Sequence, residues 1–121
     1  MIKLVFCLTR REDVSPEDFY NYWRNEHAAK VVRLAKALDA KRYVQSHTCL
    51  PAVNEVNRAG RGLAAPFDGI AELWWDDEEA FIRRMTSPEG IAASLELRED
   101  ESRFIDLGKS SGFMTTEHPI F

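Results

Sequence analysis

The sequence predicts an α+β domain of element order β-α-β-β-α-β, and three observations carry that prediction. Four short runs are rich in strand formers, two segments carry helix starts with helical apolar spacing, and the middle two strands follow one another as a hairpin. At 121 residues, with 45% hydrophobic and 30% charged residues, the chain is sized for one domain, 1–121, with a core of its own.

The run "IKLVFCLTR" (2–10) reads as the first strand. Ile2, Leu4, Phe6 and Leu8 alternate as an apolar face, but Val5 and Cys7 make the other face apolar too. "REDVSPED" then sets up a helix, with Ser15 as N-cap, Pro16 at the first helical position, and Glu17 and Asp18 in the positive first turn. That helix is expected to run unbroken from Pro16 to Leu38. "KRYVQSHTCL" (41–50) is the second strand, with Tyr43, Gln45 and His47 on one face. The segment 51–66, "PAVNEVNRAGRGLAAP", shows Pro, Asn and Gly without clean periodicity and is expected to be a poorly ordered loop that covers a pocket. "FDGIAELWWDD" (67–77) is the third strand. "DDEEAFIRRM" follows as a helix capped by Asp76, a second Ser-Pro cap restarts helix at Pro88, and "SSGFMTTEHPIF" (110–121) supplies the last strand.

This order is the ferredoxin-like split βαβ arrangement, a four-stranded antiparallel sheet with helices on one face. Both faces of strands one and three are apolar, at Val5, Cys7, Leu73 and Trp75 among others, and one helical layer covers only one of them. A homodimer packed sheet against sheet is therefore expected.

Composition excludes several classes. Net charge is −4 and the arginine pairs at 10–11 and 83–84 are isolated, so nucleic acid is not an expected partner. No apolar run reaches the roughly 20 residues of a membrane helix, so no membrane association is expected, and the N-terminal apolar run reads as a strand, not a signal peptide. The two cysteines, Cys7 and Cys49, are not in metal or redox spacing, which suggests reduced thiols in a cytoplasm. Metal-ligand spacings, dinucleotide and phosphate loops and the nucleophile elbow are all missing, and no metal or cofactor is expected.

His27 is the residue that asks for a function. At roughly 100° per residue, Phe19, Trp23, His27, Val31 and Leu34 fall in one wedge about 120° wide, with Lys30 as its polar exception. The imidazole thus aims at the sheet. It is either a core histidine hydrogen-bonded to a backbone carbonyl or a general acid or base in a helix–sheet cleft. Glu72, inside an apolar strand, is either a salt bridge at a sheet edge or a pocket residue. His47 is either an exposed strand-end residue or, paired with Asp68 across the hairpin, a second site residue. His118 reads as a tail residue. A cleft walled by Trp and Tyr with one or two imidazoles suits a flat, apolar, weakly acidic organic molecule, a small hydrophobic or aromatic substrate.

The blocks "IKLVFCLTRREDVSPEDFYNYWRNEHAAKV", "RYVQSH", "FDGIAELWWDD" and "ESRFIDLGKSSGFMTTEH" together resemble the EthD family of dimeric α+β barrel proteins. The resemblance implies a ferredoxin-like monomer whose sheet pairs with that of a second copy, and a pocket between sheet and helices. It carries the family's "YWxxxH" element onto Tyr22, Trp23 and His27, and its "YVQxH" element onto Tyr43, Gln45 and His47. "HAAKVV" lacks the family's proline, and the Pro-Gly before the second strand is missing, so helix one is expected to run longer. Family members resemble accessory proteins of ether degradation, or dehydratases and decarboxylases of polyketides, and the wider superfamily includes isomerases, cyclases and cofactor-free monooxygenases.

The expected function is accordingly a cofactor-independent lyase, isomerase or cyclase. His27 would move a proton, His47 with Asp68 would assist, and Tyr22, Trp23, Tyr43, Gln45 and Glu72 would hold the substrate. The alternatives are a non-catalytic binding or accessory protein for a hydrophobic metabolite and a cofactor-free monooxygenase.

Overall fold

A computed structural model describes residues 1–121. Four strands, β1 (Ile2–Leu8), β2 (Arg42–His47), β3 (Gly69–Trp75) and β4 (Ser111–Thr116), form one sheet in the order β2-β3-β1-β4. Every neighbouring pair is antiparallel. This is the ferredoxin-like arrangement. The register sets Leu4 between Leu73 and Met114, and Val5 between Glu72 and Phe113. Because side chains alternate along a strand, these two rows point to opposite faces.

One face carries Leu4, Phe6, Leu8, Ala71, Leu73 and Trp75 toward the helices. The first helical stretch consists of α1 (Pro16–Tyr22), a π-helical turn at Trp23–His27, and α2 (Ala28–Leu38). Ser15 Oγ caps it, accepting the Asp18 N–H at 3.1 Å. The expected unbroken α-helix thus contains one wider turn. Within that turn the Trp23 carbonyl accepts both the Ala28 N–H and the Gln45 side-chain amide, the latter at 2.8 Å. A contact from the sheet therefore holds the wider turn in place, and neither its partner nor its position is visible in helical periodicity.

Helices α4 (Glu78–Met85) and α5 (Pro88–Glu101) complete the layer. Ser87 caps α5 as expected. The cap of α4 is Asp77, one residue later than expected, because β3 stays extended to Trp75 and a bend at Asp76 intervenes. Phe19, Trp23, Phe104 and Leu8 are the largest fully buried side chains, and they join Ala71 and Ile105 in one cluster. Val31, Leu73 and Trp75 form a second.

The segment 51–66 corrects the sequence reading. Residues Pro51–Arg61 form a helix, α3, started by Pro51 after a left-handed Leu50 and stopped by a left-handed Gly62. None of its residues is buried, and none lines the central cavity described below. Pro and Gly here mark the two ends of a helix and not a loop. Its apolar stripe, Val53 and Val56, is too thin to have shown helical spacing. No helix in the chain is long and apolar enough to cross a membrane.

Candidate functional site

A cavity of about 200 Å³ lies between the sheet and α2, α4 and α5. Its wall is almost wholly apolar, with Phe6, Trp23, Leu73 and Trp75 among the lining side chains; apart from the two indole N–H groups, His27, Tyr43, Ser94 and Glu101 supply its polar nitrogen and oxygen atoms. His27 does point inward, as the helical wedge requires: it is 5% exposed, and Phe104 packs on its ring at 5.1 Å.

The partner of His27 is a carboxylate, not a backbone carbonyl. Its Nδ1 lies 2.7 Å from Asp100 Oδ2. Asp100 is itself 2% exposed, and its other oxygen accepts the Lys30 ammonium at 2.6 Å and the Tyr22 hydroxyl. Burial alone would raise the Asp100 pKa, but hydrogen bonds from Lys30, Tyr22 and His27 outweigh it, and the carboxyl stays below its ordinary range. Burial lowers the His27 pKa below its ordinary 6.5 against the opposing pull of Asp100, with Lys30 adding to the lowering. The state at neutral pH is a neutral imidazole donating Nδ1–H to an ionised Asp100. That tautomer leaves Nε2 with a free lone pair. Lys30, the exception in the apolar wedge, supplies the nearer of two positive charges that make a buried Asp100 tenable, with Arg103 at 3.8 Å as the other.

Glu101 follows Asp100 at the end of α5 and lines the cavity. Burial first, then the neighbouring Asp100 charge, push its carboxyl up to about 7, against a weaker pull from Arg98.

A second cluster lies beside the cavity. His47 stacks on the Trp23 indole, centroids 4.4 Å apart and planes 17° from parallel. Its Nε2 lies 2.9 Å from Gln45 Oε1, while the Gln45 amide donates to the Trp23 carbonyl and to the Tyr43 hydroxyl, each at 2.8 Å. Trp23 and Tyr43 therefore line the cavity, and Gln45 and His47 hold them from behind. Gly69 permits this packing, since a Cβ there would come within 2.6 Å of the Trp23 ring and 2.7 Å of the Ser46 carbonyl oxygen. Burial, with Arg24 nearby, also lowers the His47 pKa.

Several expected contacts do not form. His47 and Asp68 do not pair: the Asp68 carboxylate accepts the Arg10 N–H at 2.7 Å, and its carbonyl accepts the Tyr20 hydroxyl and the Thr48 N–H. The short connection from Asp68 into β3 turns its side chain toward the start of the β1–α1 loop. Nor do His27 and His47 share the cavity, because the Trp23 ring stands in the way. Glu72 lies on the open face of the sheet, bridged to Lys3 at 2.7 Å. Tyr22 reaches Asp100 instead of the cavity. His118 is an exposed tail residue near Thr116.

Asp100 and Glu101 went unread in the sequence, although a signal was present. The inward positions of α5 run Gly90, Ala93, Ser94, Leu97, Asp100 and Glu101, so the apolar stripe ends in two carboxylates. No three His, Cys, Asp or Glu side chains converge as a metal would require.

The EthD domain family matches residues 11–108. The chain belongs to the EthD family. An EthD family protein from Bacillus halodurans is 20% identical, with 98% of this chain and 99% of that chain covered and a TM-score of 0.63. A dimeric protein of ferredoxin-like fold from Bacteroides fragilis is 12% identical over 96% and 95%, with a TM-score of 0.58. SnoaB, a cofactor-independent oxygenase from Streptomyces nogalater, is 15% identical over 98% and 93%, with a TM-score of 0.55. At these identities the likeness is one of fold. No curated protein sequence matches.

Proposed function

We propose that this EthD protein is a small cofactor-independent enzyme whose domain spans 1–121. It moves protons on a small apolar or aromatic, polyketide-like metabolite held between sheet and helices, in dehydration, decarboxylation, isomerisation or cyclisation. One observation carries this reading: an imidazole whose Nδ1 is held by a buried carboxylate lines an apolar cavity. His27 is the base, and Asp100 is a positioning residue that fixes its tautomer and stabilises the imidazolium formed during reaction. Trp23 and Tyr43 shape the substrate wall. Gln45 and His47 act through them, which moves His47 from the catalytic role expected of it to a supporting one. Asp68, Glu72 and Tyr22 have no contact with the cavity and take no direct part.

The active form is a homodimer. The open face of the sheet carries Val5, Ile70, Trp74 and Phe113, with Ile70 and Phe113 substantially exposed, and related structures are described as dimeric. The free thiols of Cys7 and Cys49 suit a cytoplasmic setting.

The test is solvent deuterium exchange into small neutral aryl ketones, followed by proton NMR. Exchange accelerated by the wild-type protein and lost in His27→Gln supports the reading. A folded wild-type protein that binds such ketones but accelerates no exchange would point to a sequestering role. The same base in an apolar cavity would also form a carbanion able to meet oxygen, so substrate-dependent oxygen uptake separates an oxygenase from a lyase or isomerase.

A further inference from the structure

The end of α5 presents two consecutive carboxyl groups in different settings. Asp100 is taken up by three donors, His27, Tyr22 and Lys30. Glu101, about 100° further round the helix, lines the cavity instead. Among the polar groups of that wall, the Ser94 hydroxyl is directed to the Met85 sulfur at 3.6 Å, and the Tyr43 hydroxyl accepts from Gln45. His27 and Glu101 are left as the two cavity groups that can exchange a proton near neutral pH.

We propose that Glu101 is the second proton-transfer group of this cavity, giving a proton to the carbonyl oxygen of an uncharged ketone while His27 takes one from the adjacent carbon. This rests on the proton-transfer reading above and names its substrate class. The His27 Nε2 lone pair removes the α-proton, and the C–H electron pair becomes the carbon–carbon double bond. The carbonyl π pair bonds the Glu101 proton, leaving an enol, an imidazolium and a carboxylate. The reverse transfers, at the same carbon or at another, restore both groups, so no further reactant is consumed.

The surroundings favour this division of roles. A carboxyl in an apolar wall without a cationic partner is costly as an anion and keeps its proton. The charged and titratable groups around Glu101 are Asp100 and Arg98 on its own helix, Tyr43 on β2 and His27 on the π turn; burial and Asp100 prevail and place its carboxyl at about 7. Asp100 meanwhile keeps the imidazole in the tautomer that accepts. Substrate charge follows from the same wall. No Lys or Arg lines the cavity, so an anionic substrate would meet Glu101 and find no partner. Size follows from volume: an apolar cavity of about 150 Å³ holds benzene, so about 200 Å³ suits one ring with a carbonyl-bearing arm or a second small ring.

The experiment uses 2-tetralone as probe, with exchange of its α-protons measured against pH for the wild type, Glu101→Gln and His27→Gln. Alongside, the wild-type Glu101 carboxyl is titrated by carbon-13 NMR with and without the probe. Wild-type exchange is expected to rise through the His27 titration below pH 6.5 and to fall above about pH 7. Glu101→Gln should lower it by about 10²- to 10⁴-fold and abolish the alkaline fall, while probe affinity measured by tryptophan fluorescence stays within about twofold. The carboxyl resonance should titrate near pH 7 and move higher with the probe bound. Equal exchange and an unchanged alkaline limb in Glu101→Gln would overturn this inference and leave the His27 reading standing. A Glu101 resonance titrating in the ordinary carboxylate range with the probe bound would do the same, and it decides the matter even where the variant fails to fold. Wild-type exchange no faster than buffer would overturn both.

Discussion

His27 Nδ1 and Asp100 Oδ2 are 2.7 Å apart, each almost sealed from solvent, although 73 residues separate them in the chain. The π turn presents one and the last turn of α5 the other, so this contact ties the first helical stretch to the end of α5. Asp100→Asn keeps the shape and removes the charge. An amide can also present its NH₂ to Nδ1, which would move the imidazole proton to Nε2 and block the base. The expected result is a folded protein with exchange activity reduced by about 10²- to 10⁴-fold. Nitrogen-15 shifts of the imidazole should report the changed tautomer; an unchanged Nδ1–H form with reduced activity would show that Asp100 acts some other way.

Gly69 carries the stack of Trp23 and His47. Gly69→Ala places a methyl group within 2.6 Å of the indole edge, and overpacking of this kind costs about 1–3 kcal/mol. A lower melting temperature is expected, with part of the loss recovered by Trp23→Phe, whose shorter ring vacates the space. The Ser46 carbonyl oxygen, which does not move away, limits the recovery. Unchanged stability of the single variant in thermal denaturation would mean that the ring has room to shift.

The fold was readable because its determinants are local and periodic. Ser15-Pro16 and Ser87-Pro88 mark helix starts through their own backbone chemistry, and Leu4, Phe6 and Leu8 mark a buried face by alternation alone. The direction of His27 followed from the same periodicity. The hydrogen-bond partners did not, since they depend on which distant side chains the topology brings together. Strand-end proximity pairs Asp68 with His47, but the β1–α1 loop offers it the Arg10 N–H. For Glu72 the sequence allows a salt bridge or a pocket role, and only the register with β1, which brings Lys3 beside it on the open face, decides between them. Asp100 and Glu101 look like the charged end of a surface helix until α5 is rotated onto its Gly90–Ala93–Leu97 stripe.

Stability should respond to Glu101 with a defined sign. Its folded pKa of about 7 lies above the ordinary 4.5, so between those values the folded state binds more protons than the unfolded chain. Stability contributed by this group is therefore fully present below about pH 4.5 and is lost as pH rises through about 7. The difference corresponds to about 3 kcal/mol at most, and less with solvent relaxation. Glu101→Gln should remove this loss and raise stability at pH 8 by about 1–3 kcal/mol relative to wild type, with little change at pH 4.5. Urea titrations at the two pH values measure it, and equal differences at both would place the Glu101 pKa in its ordinary range.

The two faces of the sheet should separate assembly from folding. Val5 sits between Glu72 and Phe113 on the open face, whereas Leu73, one residue beyond Glu72 on β3, faces the helices and lines the cavity. Val5→Asp puts a second carboxylate beside Glu72 on the surface assigned to the partner. A dimer interface tolerates like charges poorly when they are desolvated, while a monomer leaves them in water at little cost. Val5→Asp is therefore expected to yield a folded monomer in sedimentation at micromolar concentration, with an unchanged far-ultraviolet circular dichroism spectrum. Leu73→Asp buries an unpaired charge in the core and is expected to prevent folding at any concentration. Should Val5→Asp remain dimeric with wild-type affinity, the partner does not sit on the Val5 row, and the open sheet face is not the dimer interface.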